Sequence, residues 1–300
     1  MDKNLLVFVT VVEQENFSRA AKELHMTQPA VSQYIRMLEE DVGTRLLERT
    51  NKYVRLNKAG EVVYHHAKEI IGLYTKMENL LDDITNKAKG ILTIGASYTF
   101  GEYVLPHIIA MMQNKYPGIQ PTITIGNTAH ITELVLTHQL DIGIIEGMMN
   151  GVHLEKTPFA DDQLYIVASP NNPLTTQPLI KKQDLEQSMW IIREEGSGTR
   201  ESLENLFAEL TIKPERTMKF SSTQPIKEAV AAGLGISLLS KWAIQKELKH
   251  HELIILPVEG TPYHRQFSYI TMSPFQTKAL KLFISLLHDS DLSESIKRKI

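Results

Sequence analysis

A run of polar side chains within residues 28–36 has the chemistry needed to read the edges of base pairs. Gln28, Ser32, Gln33 and Arg36 stand in the first turns of a helix that the apolar pattern predicts. Glutamine pairs with adenine, arginine with guanine or phosphate, and serine with either base edges or phosphate. A recognition helix uses its N-terminal residues in this way. Any exposed helix also has a polar face, so this pattern taken alone leaves both interpretations open.

Basic residues are concentrated just after that helix. Five bases and a single acid, Glu48, lie between residues 45 and 58, whereas the whole chain has a formal net charge of −3. A local basic stripe on an otherwise acidic protein is typical of a protein that binds DNA through one surface and does not coat DNA indiscriminately. A solvated surface turn is the alternative that charge alone does not separate from it. The five bases are Arg45, Arg49, Lys52, Arg55 and Lys58.

The segments that would position these side chains form a helix-turn-helix followed by a short strand. Apolar residues at helical spacing predict a first helix, and Ser18 is the expected N-cap of a short second helix over residues 19–24. Thr27 is the expected N-cap of the third helix, which ends near residues 41–43. A short helix, a turn and a second helix crossing it make a helix-turn-helix. Alternation over residues 54–56 predicts a strand, which would be the wing of a winged helix-turn-helix.

A long helix is predicted from residue 61 to residue 89. It contains no proline, and its apolar residues are spaced alternately by four and three, which is the a/d seam of a coiled coil. A helix packed on its own domain usually shows a wider and less regular stripe. We therefore expect pairing with the same helix of a second subunit, which would set two DNA-binding heads at a fixed separation for two half-sites. The seam residues are Val63, Ala67, Ile70, Tyr74, Met77, Leu81, Ile84 and Ala88.

From residue 90 onward, predicted strands and helices alternate, which indicates parallel βα units. Ligands of open α/β sheets bind beyond the carboxyl ends of the strands, and helix N-termini there attract anions. Polar residues occur after successive strands. Each alone could be an ordinary N-cap, but their repetition favours a site for a small carboxylate, sulfate or phosphate ester. The candidates are Ser97, Tyr98, Thr99, Asn127, Thr128, Glu146, Ser197, Gly198, Thr199, Ser222 and Thr223.

Two members of this set are ambiguous. The Gly-Ser-Gly-Thr-Arg run at residues 196–200 resembles a phosphate cradle but lacks the lysine of a P-loop, so it is weak evidence. We interpret Ser197 and Thr199 as anion donors, whereas Arg200 could add a charge or point to solvent. The Glu146 carboxylate would repel an anion, so it could bind an amino group, pair with a basic residue or lie outside the contact shell.

Composition excludes several classes of function. The 300-residue chain has no cysteine, so it has no disulfide, zinc-thiolate site or cysteine nucleophile. No run of about 20 apolar residues predicts a membrane span, and the N-terminus shows no secretory signal, so we expect a cytoplasmic protein. The paired histidines at 65–66 and 250–251 are not accompanied by a carboxylate cluster, so we expect no metal or cofactor. No motif for a nucleophile with its base occurs, so we expect no enzymatic activity.

Four short runs match a known pattern in order and without gaps: Phe17-Ser18-Arg19-Ala20-Ala21, Thr27-Gln28-Pro29-Ala30-Val31-Ser32, Leu46-Leu47-Glu48-Arg49 and Leu56-Asn57-Lys58-Ala59-Gly60. This segment resembles the LysR-type transcriptional regulators, and it departs from them at Leu47, where phenylalanine is common. The resemblance implies an antiparallel dimer of linker helices, and commonly a homotetramer of two such dimers. RNA polymerase is a further candidate partner. The expected DNA contacts are Thr27, Gln28, Pro29, Ser32, Gln33, Arg36, Arg49, Thr50, Lys52 and Arg55.

The sequence thus predicts an α/β protein with an all-α, winged N-terminal domain. Residues 1–60 form a winged helix-turn-helix, residues 61–89 a coiled-coil linker helix and residues 90–300 an effector-binding domain. The resemblance implies that this last domain has two α/β lobes, as in periplasmic binding proteins. The lobes are expected over residues 91–160 with 266–300 and over residues 161–265.

We therefore predict a ligand-responsive regulator that binds double-stranded DNA with two half-sites. The expected effector is an organic acid, a sulfur anion or a phosphorylated metabolite. The alternative is a cytoplasmic enzyme or small-molecule carrier with an appended DNA-binding head.

Overall fold

The computed structural model describes residues 3–49, 53–85, 90–147, 154, 156–272 and 276–288. The chain divides into two compact units, of which the first consists of Met1–Thr85 and Thr137–Gln139. The second consists of Asn86–Leu136 and Leu140–Ile300. None of the helices within the described ranges combines the length and hydropathy that a membrane span requires.

The first unit begins with three helices around a small apolar core. Helix α1 spans Lys3–Gln14, α2 spans Phe17–Glu23 and α3 spans Gln28–Asp41. Phe8 and Ile35 have no exposed surface at the centre of this core, and burying a side chain of this kind contributes about 1.5–3 kcal/mol. The apolar side of α3 is therefore fixed against α1 and α2, and its polar side faces outward.

Side chains that cap the helices set where these helices begin. Asn16 is the N-cap of α2, and not Ser18 as predicted, because its Oδ1 accepts the backbone N–H groups of Ser18 and Arg19 at 2.9 and 3.0 Å. Asparagine and serine are about equally favourable at this position, so composition alone did not separate them. Thr27 is the N-cap of α3, as predicted, and Gly43 follows that helix with a φ of +74°.

A small antiparallel sheet follows α3. Its strands are β1 (Leu47–Arg49) and β2 (Val54–Leu56). The alternating pattern over residues 54–56 predicted the second strand, and the first was not predicted. Buried Leu47 anchors β1 to the core of the three helices, so the sheet is held beside α3.

Helix α4 covers Lys58–Thr85. It begins before the predicted residue 61, because the side-chain oxygen of Asn57 accepts the N–H of Gly60 at 2.8 Å and so caps an earlier turn. Residues 86–89, which were predicted to continue this helix, lie outside the described residues.

One lobe of the second unit is built on parallel strands. The segment from Tyr98 to Lys115 forms two helices and not one, because Pro106 has no N–H to continue the helical ladder across Val104. Strand β3 lies between β4 and β5 and is parallel to both. The elements of this lobe are β3 (Gly90–Ser97), α5 (Tyr98–Tyr103), α6 (Leu105–Lys115), β4 (Ile119–Gly126), α7 (Thr128–Leu136) and β5 (Ile142–Glu146).

The chain then forms the second lobe and returns to the first. Strands β7 and β8 pair in parallel, and a 3-10 turn spans Pro173–Thr176. The elements are β6 (Lys156–Ala168), α8 (Lys182–Gln187), β7 (Met189–Arg193), α9 (Gly198–Glu209), β8 (Arg216–Phe220), α10 (Thr223–Ala231), β9 (Ser237–Ser240), α11 (Lys241–Lys249), β10 (Ile254–Ile255), β11 (Tyr263–Ile270) and α12 (Lys278–Leu287).

Strands β6 and β11 connect the two lobes. They pair antiparallel in a sheet of order β10-β6-β11-β5-β3-β4, with β9 also on β6. Phe267 of β11 packs in the core of the first lobe, whereas Leu164 of β6 packs in the core of the second. The register of the pair shifts between Phe267 and Ser268, and Phe159 is the residue that it skips. The polar ends of the parallel strands in both lobes meet beside these two crossing strands.

Candidate functional site

The polar side of α3 and the turn behind it line a groove of about 1140 Å³. Gln28 is exposed, and its Nε2 donates to Ser32 Oγ at 3.2 Å, so these two side chains lie together on the first turns of the helix. Thr27 is committed to capping. Basic residues of the following turn and strand face the same groove. The predicted DNA contacts that line it are Pro29, Ser32, Gln33, Arg36 and Arg49.

Glu39 fixes the position of Arg49, and the sequence analysis did not single it out. Its Oε1 accepts the backbone N–H groups of Leu46 and Leu47 at 3.0 and 3.4 Å. Its Oε2 lies 2.6 Å from Arg49 Nη2, and the guanidinium of Arg49 also stacks over the Phe17 ring at 5.2 Å. The carboxylate therefore links the middle of α3 to the start of the small sheet. Arg49 is held in place before any partner binds.

The far side of the small sheet presents one further predicted contact. Arg55 is exposed, and its guanidinium lies 5.0 Å from the centre of the Tyr53 ring. A cation over an aromatic face keeps its charge available to a phosphate. The other two predicted wing contacts, Thr50 and Lys52, lie outside the described residues.

The apolar residues of α4 divide between two faces. Val63 packs against the core of the first unit and Ala67 is only 1% exposed, so these two seam positions are already covered. Tyr74 is half-buried, and Ile84 and Ala88 lie outside the residues whose side chains are described. Heptad spacing does not reveal which face the protein's own core covers. The exposed apolar stripe, 46–60% exposed, is Val62, Ile70, Leu73, Met77 and Leu81.

Hydroxyl groups of the first lobe meet at the ends of β3 and β5. Thr128 Oγ1 donates to the backbone oxygen of Glu146 at 2.9 Å. Since a hydroxyl has a single proton, Ser97 must be the donor in its 3.1 Å contact with Thr128. Thr99 Oγ1 donates to Glu146 Oε2 at 3.0 Å. The protons of these three predicted anion donors are therefore used within the lobe.

Glu146 pairs with a basic residue, which is one of the alternatives that the sequence left open. Arg265 Nη2 lies 3.0 Å from Glu146 Oε2, and Arg265 Nε lies 2.7 Å from Asp162 Oδ2. The side chains of Arg265, Glu146 and Asp162 are 4%, 3% and 0% exposed. Burial raises the pKa of Asp162, although Arg265 and Ser240 oppose this. Burial alone would lower the pKa of Arg265, but the two carboxylates raise it.

Arg265 also joins the two lobes. Its Nη2 donates to Thr99 Oγ1 at 3.2 Å, and its Nη1 donates to Thr199 Oγ1 at 3.1 Å. Thr199 thus accepts from Arg265 and keeps its own proton for another acceptor. Neither Arg265 nor Asp162 was among the predicted site residues, because they lie 103 residues apart in the chain. We name Arg265, Glu146, Asp162, Thr99 and Thr199 the central cluster.

The first turn of α9 approaches the first lobe very closely at Gly198. A Cβ atom at this position would lie 2.0 Å from the backbone oxygen of Glu146, so only glycine fits. Ser197 is the N-cap of α9, and its hydroxyl accepts the N–H of Arg200. Arg200 itself pairs with Glu204 at 2.7 Å on the helix surface. Gly198 therefore serves the contact between lobes, and Arg200 is held away from it.

Arg193, at the end of β7, forms a second buried charge pair between the lobes. Its Nε and Nη2 donate to both oxygens of Glu194 at 2.7 and 2.8 Å. Tyr98 of the first lobe lies over the guanidinium at 4.5 Å, and Thr223 accepts from Nη1 at 3.4 Å. Asn127 Nδ2, also from the first lobe, donates to Glu194 Oε1 at 3.1 Å. Three of these five residues end a strand or begin a helix: Arg193 ends β7, Tyr98 begins α5 and Thr223 begins α10.

The surroundings of Glu194 favour its ionised form. Burial alone would raise the pKa of Glu194, but its hydrogen bonds to Arg193 and the charge of that residue lower it. Ser222 is the N-cap of α10, and its side chain makes no capping hydrogen bond. Of the predicted residues, Tyr98, Asn127 and Thr223 are therefore brought together around the pair of Arg193 and Glu194. Arg193 was not predicted, because in the sequence it reads as the last residue of a strand.

Lys227 of α10 is another buried cation at the same boundary. Its Nζ lies 2.6 Å from Glu247 Oε1 and 5.0 Å from the centre of the Tyr103 ring. Burial opposes the charge, but the bonds to Glu247 and Tyr103 raise the pKa of Lys227. Burial raises the pKa of Glu102, which lies near both Lys227 and Arg193.

The arrangement between the lobes suits recognition of a polar ligand. Its buried cations are each already paired with a carboxylate of the chain, and Thr199 keeps a proton to donate. Within the described residues, no group of three or more His, Asp or Glu side chains could hold a metal ion. His65 and His66 both contact Glu69 on the surface of α4.

Two protein-family models match the chain. The model described as LysR substrate binding domain matches residues 85–291. The model described as bacterial regulatory helix-turn-helix protein, lysR family, matches residues 3–61. The HTH-type transcriptional regulator CysL of Bacillus subtilis (strain 168) is 38% identical over 295 residues, which covers 98% of this chain and 98% of that protein.

Solved structures show the same architecture. The regulatory domain of Synechocystis PCC6803 CcmR, in complex with 2-PG, is 28% identical with a TM-score of 0.62, over 67% of this chain and 96% of that one. CbnR, described as a LysR family transcriptional regulator, is similar with a TM-score of 0.72 at 20% identity, over 96% of this chain and 98% of that one. At that identity the second likeness shows the fold.

Proposed function

The chain belongs to the LysR family of transcriptional regulators, and we propose that it binds a two-part operator under the control of a small anion. It is a ligand-responsive DNA-binding regulator, as its relatives are. The operator geometry, the chemistry of the ligand and the residues that contact each are the proposal. Because the relatives are regulators, we assign the chain no catalytic role.

The exposed polar face of α3 supports the DNA contact. The groove of about 1140 Å³ brings Gln33 and Arg36 together with Arg49, which Glu39 holds in position. Glutamine and arginine on the first turns of such a helix read base edges, and a fixed arginine beside it suits a phosphate. We assign Thr27, Gln28, Pro29, Ser32, Gln33, Arg36, Arg49, Thr50, Lys52 and Arg55 to the DNA interface.

The apolar stripe on α4 supports the two-part operator. Leu73 and Met77 are 48% and 46% exposed on one side of the helix, and side chains of this size are normally covered in a stable assembly. Pairing of two such helices would set two heads at one spacing, so each head would meet one half-site. We assign residues 1–60 to the head, 61–89 to the linker and 90–300 to the effector domain, and we expect a homodimer that can assemble into a tetramer.

The buried cations between the lobes support an anionic effector. Arg193 is only 3% exposed and lies among side chains from both lobes, and a buried guanidinium is the usual partner of carboxylates, sulfur oxyanions and phosphates. The relative whose regulatory domain was solved with 2-PG binds such a molecule. Of the predicted contacts, we expect Thr199 to donate to the anion, because its proton is available. Ser97, Tyr98, Thr99, Asn127, Glu146, Ser197, Gly198, Ser222 and Thr223 remain candidate contacts.

An electrophoretic mobility shift on DNA upstream of the chain's own gene and of its neighbouring genes tests the DNA half. We expect specific binding by the wild-type chain, and its loss in Arg36→Ala and in Gln33→Ala. Arg216→Ala, on the exposed strand β8 of the second unit, is the matched control and should bind normally. Thermal shift with small organic acids, sulfur anions and phosphorylated sugars tests the ligand half. Loss of both DNA binding and ligand response in Arg36→Ala would contradict separate sites.

A further inference from the structure

Both lobes hold the carboxylate of Glu194. The second lobe contributes two hydrogen bonds from Arg193, at 2.7 Å from Nε and 2.8 Å from Nη2. The first lobe contributes one from Asn127 Nδ2 at 3.1 Å. An anion that bridged the lobes would need donors of this kind, in this arrangement. The carboxylate of the chain itself therefore stands where the anionic group of a bridging ligand would be expected.

The guanidinium that binds this carboxylate is fixed by other contacts. Arg193 is 3% exposed, its Cζ lies 4.5 Å from the centre of the Tyr98 ring, and Nη1 reaches Thr223 Oγ1 at 3.4 Å. If Glu194 moved away, these contacts would keep the Nε and Nη2 edge in the same orientation. That edge offers two parallel N–H groups, which match the two oxygens of a carboxylate or of a tetrahedral oxyanion.

Glu194 lies closer to solvent than Arg193. The side chain of Glu194 is 20% exposed and that of Arg193 is 3% exposed. A glutamate that swings outward regains its hydration, so exchange of its carboxylate for a ligand anion leaves no buried charge unpaired. While Glu194 is in place, it neutralises the guanidinium and repels a second anion. A ligand must therefore displace it in order to bind.

We propose that Glu194 is an internal competitor for the effector. Its carboxylate binds Arg193 and Asn127 until a small carboxylate, sulfur oxyanion or phosphate takes its place. This inference rests on the proposed function, because it requires an anionic effector between the lobes. It also assigns Arg193 and Asn127 as the anion-binding residues, with Tyr98 and Thr223 as positioning residues.

The test compares Glu194→Gln with Glu195→Gln in the full chain. Glutamine keeps the size and the accepting oxygen of Glu194 but removes its charge. Glu195 is the matched control, because it is the next residue and its side chain is 83% exposed. Its backbone oxygen accepts from Asn127 Nδ2 at 3.4 Å, and the substitution keeps that contact. Isothermal titration with sodium sulfate, sodium phosphate and 2-phosphoglycolate, at constant ionic strength, gives the affinities. Thermal melts confirm that each variant is folded.

We expect Glu194→Gln to bind at least one of these anions about tenfold or more tightly than wild type, because one nearby repelling charge is removed. Glu195→Gln should match wild type, and Arg193→Met added to Glu194→Gln should abolish the gain. The proposal is overturned if Glu194→Gln binds within about twofold of wild type, since a direct competitor contributes more than that. An equal gain in Glu195→Gln also overturns it, because the effect would then be one of general charge.

Failure of this inference can be distinguished from failure of the proposed function. If the wild-type chain binds an anion through Thr199 and Glu194→Gln changes nothing, the anionic effector stands and the competitor is wrong. If neither protein binds any anion but both respond to a neutral or cationic molecule, the anionic effector is wrong as well, and the competitor with it. Operator binding, measured separately, tests the regulator without reference to either.

Discussion

Replacing Arg265 by methionine removes the single charge that faces two buried carboxylates. Glu146 and Asp162, at 3.0 and 2.7 Å from the guanidinium, would then be buried without a counter-ion. Removing one partner of a buried pair costs about 3–5 kcal/mol, and we expect a loss of this size in the free energy of unfolding of the second unit. For a unit of this length the melting temperature should fall by about 6–20 °C.

The loss should grow as the pH rises. The folded-state pKa of Asp162 is already above its ordinary value, mainly because of burial, and Arg265 lowers it. Without Arg265 this pKa rises further. A carboxyl whose pKa is raised by folding stabilises the protein when the pH is below the pKa of the unfolded state. That stabilisation is lost as the pH rises through the pKa of the folded state. The deficit of Arg265→Met relative to wild type should therefore be larger at about pH 8 than at about pH 5.

Urea unfolding followed by tryptophan fluorescence measures this directly. The sequence contains two tryptophans, Trp190 and Trp242, and both lie in the second unit, so the signal reports on that unit. Arg216→Met, at an exposed arginine, is the matched control and should change stability by less than about 1 kcal/mol. Adding Asp162→Asn to Arg265→Met removes one of the stranded charges and should recover part of the loss.

Two results would refute this reasoning. One is a loss below about 1 kcal/mol in Arg265→Met, which would mean that water or a rearrangement satisfies both carboxylates. The other is a deficit that is the same at both pH values, which would mean that the lost stability comes from packing and not from charge.

Three further changes test other contacts. Gly198→Ala would place a Cβ atom 2.0 Å from the oxygen of Glu146, so the melting temperature should fall by about 2–12 °C, and an unchanged melt would show that α9 can retreat freely. Asn16→Ala removes the N-cap of α2 and should cost about 1 kcal/mol, seen as about fivefold faster hydrogen exchange of the α2 amides; equal exchange would contradict the cap. Leu73→Glu should dissociate the dimer in sedimentation velocity, whereas the exposed neighbour substitution Thr75→Glu should not, and a dimer that survives both would place the interface elsewhere.

Local signals in the sequence predicted much of the first unit. Thr27 and Gly43 mark the two ends of α3 through intrinsic cap chemistry, which acts over a few residues and can be read directly. Asn16 was missed because two adequate N-cap residues, Asn16 and Ser18, stand close together and only the backbone path selects one of them. The prediction of the seam residues on α4 was partly wrong, because heptad spacing does not show that Val63 is covered by the core of the same chain.

The candidate ligand site was less accessible to sequence reading. Polar residues after strands were predicted from topology, and three of them contact charged side chains of the other lobe or of the crossing strands. Thr199 contacts Arg265, Asn127 contacts Glu194 and Tyr98 contacts Arg193. Their charged partners were missed, since Arg265 reads as part of an ordinary strand and Arg193 as the end of another. A buried ion pair between residues 103 positions apart leaves no periodic trace in the sequence. Only the fold brings such residues together.

The register shift in the crossing strands limits how the lobes can move. Phe267 is paired with Ala160 and Ser268 with Pro158, so Phe159 has no partner in the ladder. A bulge of this kind bends the strand and increases its local twist, whereas the regular ladder on either side is held by paired hydrogen bonds. The lobes should accordingly turn about one torsional axis near Phe159, and sliding past each other would break ladder bonds.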